Sequence, residues 1–93
     1  MAELDILSGY EQEVKESAEK IWKQTREESG CETFLFNTKK ENENSFLFFG
    51  VFKSQEDFDI HVQKEYISAF KTTLYGKVIG DGLKVTFLNQ FKD

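Results

Sequence analysis

The eight residues Ser45-Phe46-Leu47-Phe48-Phe49-Gly50-Val51-Phe52 constrain the fold of this chain more than any other stretch. Side chains alternate along a strand, so Phe46, Phe48, Gly50 and Phe52 share one face and Leu47, Phe49 and Val51 the other. Both faces are apolar, whereas a strand with one wet face alternates apolar with polar. Such a strand needs a cover on each side. The chain's own helices supply one. With only 93 residues available, the other is expected from a second copy of the chain, as a homodimer joined through the sheet face.

The flanking segments define what packs around this strand. Ala2, Leu4 and Ile6 alternate with Glu3 and Asp5, which predicts a first strand at or near a sheet edge. Ser8 followed three positions on by Glu11 has the pattern of a capping box and predicts a helix running to about Ser29, with Gly30 as its stop. Along it Tyr10, Val14, Ala18, Ile21, Trp22 and Thr25 recur at helical spacing, while Glu27, Glu28 and the other acids read as a solvated face. Cys31 to Thr38 forms a second strand, with Phe34 and Phe36 on one side and Cys31, Thr33, Leu35 and Asn37 on the other. The polar run Lys39–Asn44 then closes a hairpin.

After the phenylalanine-rich strand, Ser54 with Asp57 three positions later opens another helix, whose inward positions are expected at Phe58, Val62 and Tyr66. The apolar spacing restarts at Ile67, Phe70 and Leu74, which predicts a bent helix or two short ones. Gly80-Asp81-Gly82 marks a turn, and the alternation from Leu83 to Phe91 predicts a final strand. Strand, helix, strand, strand, helix, strand is the split βαβ, or ferredoxin-like, arrangement of an α+β domain with a four-stranded antiparallel sheet, here a single domain over residues 1–93.

Composition removes several classes of function. The net charge of −5, from 17 acidic and 12 basic side chains, with no basic stripe, opposes nucleic-acid and anionic-membrane partners. One cysteine and one histidine do not make a metal site of the usual kind, and no cofactor motif is visible. No apolar run reaches the roughly 18–20 residues of a membrane span, and the chain reads as a cytoplasmic protein. Ten phenylalanines and no proline indicate a broad aromatic interior built from regular elements.

The segments Gly9-Tyr10-Glu11-Gln12-Glu13-Val14, Glu28-Ser29-Gly30-Cys31, Phe46 to Ser54, and Phe58, His61 and Tyr66 to Phe70 together resemble the antibiotic biosynthesis monooxygenase family over nearly the whole length. The resemblance implies a dimeric α/β barrel, two ferredoxin-like sheets face to face, with a pocket in each subunit. It also implies chemistry in which small phenols or quinols react with dioxygen without a cofactor. Relatives of other kinds degrade haem or isomerise a sugar phosphate. The chain departs from the family's pattern at three positions: Gly50 where glutamate is frequent, Phe52 where tryptophan is frequent, and Tyr66 where a second histidine is common.

His61 is the side chain best suited to move a proton near neutral pH and is the candidate catalytic residue. Tyr66, Asn37, Phe34, Phe36, Phe48, Phe52 and Phe70 are candidates to bind a small apolar or aromatic molecule. Tyr66 lies five positions beyond His61, about 140° around an ideal helix, so the two converge only if the helix bends. Aromatic residues at strand spacing more often form core or interface than a ligand slot. Two functions therefore stand side by side: a cofactor-independent monooxygenase for an aromatic or quinol-type substrate, and a non-catalytic binding or stress-response module using the same pocket. A haem-degrading role is poorly supported by a single histidine with Phe52 in place of the indole.

Overall fold

The computed structural model describes residues 1–80 and 82–89. Its elements follow the order β1 (Ala2–Asp5), α1 (Glu11–Arg26), β2 (Cys31–Lys39), β3 (Asn42–Phe52), α2 (Gln55–Val62), α3 (Glu65–Thr73) and β4 (Lys84–Val85). The strands form one open antiparallel sheet in the order β2-β3-β1-β4. This is the ferredoxin-like α+β arrangement expected from the sequence, with the second helix divided in two. β1 lies inside the sheet, between β3 and the very short β4.

β2 and β3 pair along most of their length and turn at Lys40-Glu41, so the polar run does close a hairpin. Pairing of Ala2 with Phe48 and Phe48 with Phe36 places Ala2, Leu4, Phe34, Phe36, Phe46 and Phe48 on one face. There they meet Val14, Ala18 and Ile21 of α1 and Ile67 and Phe70 of α3 in a single buried cluster. The opposite face carries Thr33, Leu35, Asn37, Leu47, Phe49 and Val51. No described helix covers it: Leu35 is 49% exposed, while Leu47, Phe49 and Val51 are half-buried.

Several boundaries move for identifiable reasons. The first helix starts at Glu11, three residues after Ser8, because Ser8-Gly9 form a turn in which Gly9 takes φ +99°. Glu11 instead turns back to accept the Gly9 N–H at 2.8 Å. The helix ends at Arg26, and Gly30 is not its stop, since its φ is not positive. Gly30 is where α2 comes close: a Cβ there would stand 2.5 Å from Asp57. Ser54 caps α2 as expected, its Oγ accepting the Asp57 N–H at 3.1 Å.

α2 and α3 are two short helices separated at Lys64, whose backbone is extended at φ −64° and ψ 143°. The break re-phases the helical surface so that both apolar sets reach the sheet. In α2 the inward residue is His61, whereas Val62, expected to face in, is exposed. The final strand is limited to Lys84–Val85, with Thr86–Asn89 irregular. Asp81 of the expected turn, and Gln90 and Phe91 of the expected strand, lie outside the described residues.

Candidate functional site

β3, α2, α3 and the segment Leu83–Asn89 enclose a cleft of about 660 Å³. Its walls are mainly aromatic and aliphatic, including Phe34, Phe48, Phe52, Phe58 and Phe70, with His61 among them. Phe87 closes one side by meeting the edge of Phe58, ring centroids 5.4 Å apart. The lining also reaches Phe49 and Val51, where β3 runs on beyond Phe48, the last partner of β1. Lys71 is the one cationic side chain on the lining, and no Asp or Glu lines it among the described residues.

His61 stands in the last turn of α2 with its imidazole packed among rings. Its centroid lies 4.8 Å from Phe52, 6.0 Å from Phe34 and 6.1 Å from Phe58. Nδ1 is 2.9 Å from Glu28 Oε2, with the two side chains only 8% and 10% exposed. A carboxylate accepts but does not donate, so Nδ1–H is the donor, and in the neutral ring Nε2 carries the lone pair. No hydrogen-bond partner for Nε2 occurs among the described residues. The ring is thus held from behind at Nδ1, at the wall of an apolar cleft.

The same carboxylate oxygen accepts a second hydrogen bond, from the Tyr66 hydroxyl. Burial, and then Glu28, pushes the Tyr66 phenol above its ordinary range, so it remains protonated and donating. Beside it lies the Thr25 hydroxyl, buried and without a partner in hydrogen-bond geometry. The Cys31 thiol is raised by burial and by the Glu28 charge, which leaves it an unreactive neutral thiol.

Of the residues singled out in the sequence, His61, Phe34, Phe48, Phe52 and Phe70 come together around the cleft. Phe36 stacks on Phe48 at 5.0 Å but does not line the cleft. Asn37 lies on the opposite sheet face, exposed, with Nδ2 donating to the Leu47 carbonyl at 3.4 Å. Tyr66 also stands outside the lining: the bend at Lys64 does bring it toward His61, but the two converge on a protein carboxylate.

Glu28 is the residue that sequence reasoning missed. Placed on a helix reaching Ser29 it belonged to a solvated face; because α1 ends at Arg26, it sits instead in the turn entering β2, aimed inward. Its place in the segment Glu28-Ser29-Gly30-Cys31 was the available signal. Trp22 serves packing, its Nε1–H donating to the Phe34 carbonyl at 3.1 Å and Arg26 lying over its ring. No group of three or more metal-ligating side chains occurs among the described residues, and none of their helices is long and apolar enough to cross a membrane.

Comparison with known proteins gives this arrangement a family. The family model for antibiotic biosynthesis monooxygenase matches residues 1–73, and the chain belongs to that family. Among solved structures, the Pseudomonas aeruginosa protein PA3566 is similar with a TM-score of 0.89 at 13% identity, over 98% of this chain and 90% of that one. A protein described as an antibiotic biosynthesis monooxygenase is similar with a TM-score of 0.84 at 17% identity, over 96% and 95% of the two chains. A conserved protein from Methanosarcina mazei has a TM-score of 0.80 at 15% identity, over 89% and 83%. At these identities the likeness shows the fold. No curated protein matches by sequence.

Proposed function

We propose that this protein is a cofactor-independent monooxygenase for a small quinol-type aromatic substrate, acting as a homodimer joined through the uncovered sheet face. The observation that carries the reading is His61, backed by Glu28 through Nδ1 and set with its other nitrogen free in the wall of an aromatic cleft. A flat substrate ring fits among Phe34, Phe52 and Phe58, where exclusion of water strengthens each electrostatic contact. Nε2 takes a phenolic proton, which makes the ring a far better electron donor. The electron-rich ring then reduces dioxygen. For a hydroquinone with a free ring position the balance is hydroquinone plus O₂ giving hydroxyquinone plus water: the substrate loses four electrons, one oxygen atom enters the ring and the other leaves as water.

The aromatic walls and the single base favour one other reading, a module that binds an apolar molecule without turning it over. Oxygen uptake on a panel of quinols, catechols and polycyclic phenols, with product masses, separates the two. Uptake with an oxygenated product, reduced at least 100-fold in His61→Ala, supports the oxygenase, in the range by which a positioned general base contributes, roughly 10²–10⁴. Saturable binding with no uptake across the panel replaces it with the binding module.

A further inference from the structure

How His61 is held carries a further inference, which rests on the reading of that residue as the base. His61 Nδ1 and the Tyr66 hydroxyl meet on one oxygen, Glu28 Oε2. They come from two helices that a continuous helix would have turned about 140° apart, and Glu28 comes from a third element, so the junction exists only because the chain breaks at Lys64. Two donors on one carboxylate oxygen polarise it in competition: charge drawn by one is less available to the other. We infer that Glu28 and Tyr66 are positioning residues, Glu28 fixing the His61 tautomer with Nε2 free, and the Tyr66 hydroxyl drawing off part of the carboxylate's charge and so tempering its pull on the protonated ring.

The titratable and charged groups near the ring are Glu28 from the turn before β2, Cys31 at the start of β2, Tyr66 at the start of α3, and Lys71 on the α3 wall of the cleft. β2, β3 and α2 itself present Phe34, Phe52 and Phe58, which carry no charge, and α2 also carries the half-buried Asp57 one turn before His61, beside Gly30. Burial keeps the Cys31 thiol and the Tyr66 phenol neutral, and Lys71 stands out at the exposed rim. Glu28 is the charged group hydrogen-bonded to His61, and Tyr66 shares its oxygen.

His61 is the only histidine in the chain, so ¹⁵N-edited NMR of imidazole nitrogens reads it without overlap. In the unmodified protein, with the ring neutral, Nδ1 is expected to read as protonated and Nε2 as unprotonated. Glu28→Gln removes the charge: the neutral ring gains the Nε2–H form and the titration midpoint of its signals falls by about one pH unit or more. Tyr66→Phe keeps the ring and deletes one hydroxyl: Nδ1–H persists and the midpoint rises by a few tenths of a unit.

Opposite signs from the two variants support the inference, because general loosening moves both the same way. Shifts of one sign, no shift in Tyr66→Phe, or a protonated Nε2 in the neutral unmodified protein overturn it. Should Glu28→Gln not fold, the unmodified tautomer and the sign of the Tyr66→Phe shift still decide. None of these readouts involves oxygen uptake, so failure of the positioning pair and failure of the oxygenase reading are told apart.

Discussion

At Gly50 a Cβ would stand 2.9 Å from Phe34 Cδ1 and 3.1 Å from a Phe52 ring carbon, so the two rings beside His61 occupy the room that a side chain here would take. The resemblance leads one to expect a glutamate at this position; the Phe34 and Phe52 rings fill its place, an aromatic wall where a charged one is expected. Tyr66 is the second departure with a physical reason. Its phenol is held above its ordinary range first by burial and then by Glu28. An unfolded chain releases that proton near pH ~10, so the folded state binds it more tightly, and the stability it contributes is complete below that pH and lost as pH rises beyond it. Urea midpoints followed from about pH 9 upward are expected to fall more steeply for the unmodified protein than for Tyr66→Phe; parallel curves would remove Tyr66 from the account. Neither effect was legible in the sequence, which shows a tyrosine and a glutamate 38 positions apart and not their shared oxygen.

Elements were legible where local chemistry decides them. The β2–β3 hairpin follows from alternation on both sides of a polar run, and the start of α2 from Ser54 with Asp57. The ends of α1 were not, because the glycine after it answers to tertiary contact. Gly30 has ordinary backbone and is required by Asp57 on α2, while its carbonyl accepts the Lys53 N–H at 2.9 Å. Gly30→Ala forces that junction apart at an expected cost of about 1–3 kcal/mol. Chemical denaturation checks it, and an unchanged midpoint would mean that α2 shifts freely. The inward face of α2 was misjudged for the same reason: periodicity from Phe58 favoured Val62, but the Glu28 carboxylate draws His61 inward and leaves Val62 outside.

For the molecule as a whole, the strand order β2-β3-β1-β4 puts every described helix on one face of the sheet and leaves Leu35, Leu47, Phe49 and Val51 on the other. Exposed apolar residues scattered singly need no explanation, but a contiguous row on a sheet face marks an association surface. Sedimentation is expected to find a dimer that Leu35→Glu, at a residue that does not line the cleft, converts to monomer; a monomeric unmodified chain at micromolar concentration would end that expectation. Phe49 and Val51 belong at once to this face and to the lining of the cleft. On the proposed dimer a second chain seated there would touch residues that a bound small molecule would also touch, and any coupling between the two would be reciprocal. The affinity measured for a ligand would then vary with how concentrated the protein is, and titrations at two protein concentrations are expected to give two constants for one chemistry.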